Sequence, residues 1–191
     1  MNKSIICIAL CCSLFFLADA QVSKPAEPHS FSIGVFYGPT PDLASNEQFQ
    51  WIKEAHVDFI QFIGDSAFDF NKNAAIAERK NLLILDLAAR NGLRYFVRDP
   101  RVRGTETDIA AMVKAYKDHP GIAGYFIADE PGKNDLDWPA TAYKTILKYD
   151  ATRIPSVNLF PNVVYPDYEE NYVEAWIQKV GKENLRLLSF D

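Results

Sequence analysis

Cysteine is scarce in this sequence: 191 residues hold three, Cys7, Cys11 and Cys12, all close to the start. They lie in a leader pattern in which Lys3 precedes the apolar run Ile5 to Leu17 and Ala18-Asp19-Ala20 follows. A basic start, a short apolar stretch and an A-x-A site make residues 1–20 a secretory signal peptide, with cleavage expected near Ala20 and export to the periplasm or the medium. A lipid-anchored leader is the rival reading, but none of the three cysteines follows the usual small residues. The exported chain then has no thiol, which excludes disulfide staples, zinc thiolates and a cysteine nucleophile. Long apolar runs are also missing. No segment after the leader approaches the ~20 continuous apolar residues of a spanning helix, so no membrane span is expected.

Basic charge is in deficit, with 20 Lys and Arg against 25 Asp and Glu for a net charge of -5. A mildly acidic chain without a basic stripe is a poor partner for nucleic acid. Histidine is limited to His29, His56 and His119, scattered without metal-ligand spacing, so neither a metal nor another cofactor is expected. No glycine-rich turn follows any candidate strand, which argues against a nucleotide-binding sheet.

What remains is 48% hydrophobic and 13% aromatic, enough to build a core. Residues 21–30, QVSKPAEPHS, carry two prolines and little to bury, so they read as a flexible lead-in, and order is expected over 31–191. There, short runs rich in β-branched and aromatic residues alternate with amphipathic stretches, the pattern of repeated βα units. Strands are expected at Ser32 to Tyr37, Val57 to Ile63, Leu93 to Val97, Ile122 to Ala128, Pro155 to Phe160 and Leu185 to Phe190. Helix starts are marked by Ser45 with Gln48 at capping-box spacing, by Thr105, and by the acidic and proline pair Asp137 and Pro139. Helix stops are marked by Asn91-Gly92, Pro120-Gly121 and Gly181.

The strand runs are nearly continuously apolar and recur at about the ~30 residues of a βαβ unit, so the sheet should be parallel and covered. An open doubly wound sheet and a (β/α)8 TIM-barrel type both satisfy this. Six strands fall short of the eight, and the chain short of the ~250 residues, of a closed barrel, so about six of eight strands are expected here. The end directly after a strand reads as a cut, and the open seam predicts instability or self-association of residues 21–191.

In either parallel architecture a site forms at the carboxyl ends of the strands. The polar and aromatic residues there are Phe36, Tyr37, Asp65, Arg98, Asp99, Asp129, Glu130, Asn158 and Asp191. In GYFIADEPG, residues 124–132, a carboxylic acid walled by apolar groups can act as general acid, which singles out Glu130. The alternative is an ordinary solvated βα loop. Successive strand side chains oppose one another, so Asp129 and Glu130 share a pocket only if the strand ends in a bulge or turn. Arg98 and Asp99 suit sugar hydroxyls or an ion pair ordering the loop before Pro100. Asn158 suits a hydroxyl or a backbone group, and Tyr37, Trp138 and Tyr165 offer rings for stacking.

HPGIAGYFIADEPG, residues 119–132, resembles the fourth strand of clan A glycoside hydrolases, secreted (β/α)8 enzymes in which a Glu after that strand is the acid/base, usually preceded by Asn and often followed by Pro. TRIPSVNLFP and the terminal LLSFD are similar to strands five and six of barrel proteins of the same superfamily. The resemblance implies Glu130 as general acid/base of a retaining mechanism on an oligo- or polysaccharide. It also implies a nucleophile at the end of a seventh strand, beyond Asp191. Asp129 stands where Asn is usual; it can accept from a sugar hydroxyl but not donate. Asp129, Tyr37, Arg98, Asp99, Asn158, Trp138 and Asp191 are the expected substrate contacts. The rival class is a non-catalytic carbohydrate-binding barrel, and a third is another exported barrel enzyme such as a lyase or esterase. Oligomeric state is not legible in the sequence.

Overall fold

A computed structural model of the chain describes residues 31–63 and 73–190. The leader, the lead-in, Asp65 and Asp191 lie outside the described residues.

Local chemistry sets the helix ends. Ser45 accepts from the Gln48 N–H while the Gln48 side chain returns to the Ser45 N–H, a reciprocal cap that starts α1 (Asn46–Glu54). Thr105 and Asp108 make the same box before α3 (Glu106–Tyr116). α2 (Ala74–Arg90) stops on Asn91, and Gly92 then turns the chain at φ 65, where a side chain would be strained. α4 (Asp137–Tyr149) enters through a single tight turn, Lys133–Asp135. Asp137 there is not a hydrogen-bonding cap; it sits in the first turn, beside the positive end of the helix. α5 (Glu174–Val180) closes at Gly181.

The strands are β1 (Gly34–Gly38), β2 (Phe59–Ile63), β3 (Arg94–Val97), β4 (Ile122–Asp129), β5 (Ile154–Leu159) and β6 (Ser189–Phe190). All neighbouring pairs are parallel, and the spatial order is β1-β2-β3-β4-β5-β6, the order of the sequence. A doubly wound sheet reverses its order at a switch point. This one never does, so successive crossovers of one hand place every helix on the same side. The result is a curled half-barrel, a partial (β/α)8 barrel with six strands. Strand six is shorter than its apolar run predicts, because residues 185–188 leave the ladder and the Arg186 N–H donates to the Tyr143 hydroxyl instead (2.7 Å).

The two faces of the sheet carry different cores. Tyr95, Val97, Tyr125 and Ile127 point to the helix layer, where they meet Ile84, Leu85, Ile109, Met112, Tyr143 and Ile146. Phe96 and Phe126 alternate with them and pack on the concave side with Phe36, Phe59, Ala123 and Ile154. A cavity of about 430 Å³ lies over the amino-terminal half of this concave face, between Phe59, Phe96, Ile154 and Phe190. Among the described residues no helix is long and apolar enough to cross a membrane.

Candidate active site

The polar residues gather at the other end of the concave face, where β3 to β6 finish. Gly124 lets β4 lie close to β5, since a Cβ there would collide with the Ile154 carbonyl oxygen and press on Phe96. Two residues later the register slips: Phe126 pairs with Ser156, yet Ala128 pairs with Val157, leaving Ile127 as an extra residue on β4. Such a bulge re-aims the side chains that follow it. Asp129 then pairs with Asn158, and Glu130 leaves the strand at φ 46. Left-handed backbone is uncommon for a residue with a side chain, and it persists only where neighbours enforce it. Two bonds do so here: the Glu130 N–H donates to the Asn158 carbonyl (2.8 Å), and the Tyr172 hydroxyl donates to the Pro131 carbonyl (2.7 Å).

The two adjacent carboxylates have different surroundings. Asp129 is exposed and accepts from Asn158 Nδ2 at 3.2 Å, while Asn158 itself is only 2% exposed and its Oδ1 accepts from Ser189 Oγ at 2.8 Å. Glu130 is half-buried. Burial pushes the Tyr172 phenol up to about 12, and the negative charge of Glu130 is among the smaller contributors to that rise. Glu130 thus sits within electrostatic reach of an aromatic group built from Phe160, Tyr165, Tyr168 and Tyr172.

Arg98, at the end of β3, is half-buried. Desolvation pulls its guanidinium below the usual value and Arg103 adds to this, while Tyr95, Asp129 and Tyr37 work in the opposite sense. Arg98, Asp129 and Tyr37 therefore lie in one electrostatic neighbourhood. Arg98, Arg103 and Asp129 line a cleft of about 360 Å³, within the ~300–1,000 Å³ of small-molecule sites. Tyr37 is 65% exposed, with its ring edge-on to Phe36 at 5.1 Å.

Asp99 is arranged differently from Arg98. Its side chain is buried at 1% exposure and accepts from Arg101 Nε (2.9 Å), Arg101 Nη2 (2.7 Å), the Arg101 N–H (2.9 Å) and the Tyr116 hydroxyl (2.7 Å). The expected ion pair before Pro100 exists, but its cation is Arg101 rather than Arg98. Asn81 ties the group together by donating to the Arg98 carbonyl and to the Tyr116 hydroxyl, and by accepting from the Tyr95 hydroxyl. Trp138, at the start of α4, is half-buried, and the Arg103 guanidinium covers one face of its ring at 4.1 Å. Tyr165 packs on Phe160 and Tyr172, and its hydroxyl accepts from the Lys133 N–H.

The fold thus brings Asp129, Glu130, Asn158, Arg98 and Tyr37 to one end of the sheet, turns Asp99 into the helix layer and sets Trp138 beneath Arg103. Ser189, Tyr172 and Arg103 are participants that composition and spacing do not reveal. Ser189 was accessible to a register argument, because it is the β6 residue level with Asn158. Among the described residues no group of three or more His, Cys, Asp or Glu is placed to hold a metal.

No family model matches the chain, and no curated protein matches it. Solved structures do. One is a candidate alpha-L-fucosidase from Bacteroides thetaiotaomicron, with a TM-score of 0.53, 12% identity, 91% of this chain and 68% of that chain covered. Another comes from a study of two plant beta-glucan endohydrolases, with a TM-score of 0.52, 14% identity, 82% of this chain and 55% of that chain covered. The chain spans roughly two thirds of the first and about half of the second. At these identities the likeness is one of fold alone, a partial (β/α)8 barrel.

Proposed function

We propose that the complete protein is an exported glycoside hydrolase acting on an oligo- or polysaccharide, with Glu130 as its general acid/base. The observation that carries this reading is the conformation of Glu130: a carboxyl group held at positive φ on the carboxyl end of β4, half-buried at the rim of a concave parallel sheet. In the first step Glu130 gives its proton to the glycosidic oxygen. The bond from that oxygen to the anomeric carbon breaks, and a carboxylate nucleophile joins the anomeric carbon as a glycosyl ester. In the second step Glu130 takes a proton from water, which attacks the anomeric carbon and releases the nucleophile. The nucleophile must lie ~5 to 5.5 Å from Glu130 and is assigned to a seventh strand. Asp129 and Arg98 orient the sugar at the cleft between β3 and β4, and Tyr37, within electrostatic reach of Arg98, offers an exposed ring.

A panel of glycans, read by release of reducing sugar, tests the proposal with wild type and Glu130→Gln side by side. The variant should lose about 10²- to 10⁴-fold in turnover, the usual contribution of a positioned acid. Undiminished turnover removes Glu130 from the chemistry. Glycan binding by the wild type without any release would instead identify a carbohydrate-binding barrel.

A further inference from the structure

We infer that Asn158 is a positioning residue that sets the geometry of the Asp129–Glu130 pair, rather than a ligand for the substrate. This rests on the hydrolase reading only for its kinetic consequences.

Asn158 grips both carboxylate residues, each with a different group. Its side-chain Nδ2 donates to Asp129 Oδ1 at 3.2 Å, and its backbone carbonyl accepts from the Glu130 N–H at 2.8 Å. The orientation of the amide follows from chemistry. An ionised carboxylate only accepts, so the NH₂ end must face Asp129, and the oxygen end is left toward β6. There Ser189 Oγ stands at 2.8 Å with a hydroxyl able to donate. A flipped amide would set oxygen against carboxylate, so Ser189 and Asp129 together lock one orientation. The chain of bonds runs across three strand ends at matched register, Asp129 beside Asn158 and Asn158 beside Ser189.

Burial agrees with this role. At 2% exposure Asn158 lies beneath the surface that a sugar would touch, whereas Asp129 above it is exposed. Adjacent strand residues point to opposite faces, so a strand alone cannot aim both carboxylates. Here β5 supplies the missing constraint: its carbonyl pins the turn at Glu130, and its amide pins Asp129.

Two measurements decide the matter. In the whole protein, Asn158→Ala should lower kcat by about 10- to 100-fold with little change in KM, as misplacement near the chemistry does. Ser189→Ala should lower kcat in the same way by less, and Ser189→Thr, which keeps the hydroxyl, should restore it; this pair serves if Asn158→Ala does not fold. A raised KM with kcat unchanged would make Asn158 a substrate ligand and overturn the inference.

The second measurement needs no catalysis. In NMR spectra the Asn158 side-chain amide protons should shift as the carboxylate at the other end of their bond titrates. The dependence should be strongly reduced in Asp129→Asn. An amide indifferent to pH through the carboxylate range contradicts the inference even if the enzyme is active. A titrating amide in a protein that hydrolyses no glycoside leaves the positioning intact and overturns the hydrolase reading alone.

Discussion

Glu130 keeps a backbone conformation that costs roughly 1–2 kcal/mol for a residue with a Cβ. His56 also has positive φ, but there the turn follows the end of α1, an ordinary place for left-handed backbone. Glu130 has no helix to finish. Glu130→Gly should therefore hold or raise the urea midpoint, by up to about 1 kcal/mol in unfolding free energy, while removing the acid. A loss of 1 kcal/mol or more would show that the side chain is retained for stability. Asp99 should behave in the opposite way: Asp99→Ala leaves the partly buried Arg101 with Glu78 as its remaining carboxylate and strips an acceptor from Tyr116, so stability should fall by about 2 kcal/mol in urea melts. KM should not change in whatever molecules fold. The different fates of these neighbouring candidates explain what was legible at this scale. Glu130 announces itself through a local motif, DEPG, whereas the duty of Asp99 depends on Tyr116 and Asn81, which only the packed helix layer brings to it.

Among the elements, helix ends were the most legible, because caps are chemistry between near neighbours: Ser45 with Gln48, Thr105 with Asp108. The length of β6 was not. Its apolar run Leu185 to Leu188 suggests strand, yet the partner for the Arg186 N–H is a tyrosine hydroxyl from α4 rather than β5. The β4 bulge was equally hidden, since nothing in IAGYFIAD distinguishes Ile127 as the extra residue until β5 lies beside it. Gly124 is where that pairing is most exposed to substitution. Gly124→Ala drives a Cβ into the Ile154 carbonyl and against the Phe96 ring, and should cost about 1–3 kcal/mol as overpacking does. A thermal midpoint equal to wild type would show that β4 and β5 can separate at no cost.

For the sheet-bearing body as a whole, acid stability and association follow from the same fold. Burial on its own would raise the Asp150 carboxyl, but donors from the Thr152 hydroxyl and N–H, the Tyr125 hydroxyl and the Arg153 N–H outweigh it and hold the pKa below the ordinary value. A depressed folded pKa gives stability that is present above the unfolded value and lost as pH falls through the folded one. The urea midpoint should thus decline below about pH 4, and Asp150→Asn should flatten that decline while lowering the midpoint at neutral pH. A polypeptide of residues 21–191 presents β1 and β6 each with one neighbour among the described strands, beside the apolar concave face. It should self-associate in sedimentation at micromolar concentration. A monomer with one cooperative unfolding transition would contradict this.

The order of the strands was only partly legible: alternation of apolar runs fixes a parallel sheet, but singly and doubly wound versions share that alternation. The sequential order settles it and places the end of β4 at a barrel-type rim. The central claim is that Glu130 donates the proton there, and the dependence of rate on leaving group tests it most directly. With aryl glycosides of graded leaving-group acidity, kcat/KM of Glu130→Ala, which reports the first step alone, should fall most on poor leaving groups and little on those that depart without a proton, giving a steep slope where wild type is shallow. Equal losses of kcat/KM across the series would contradict an acid role for Glu130.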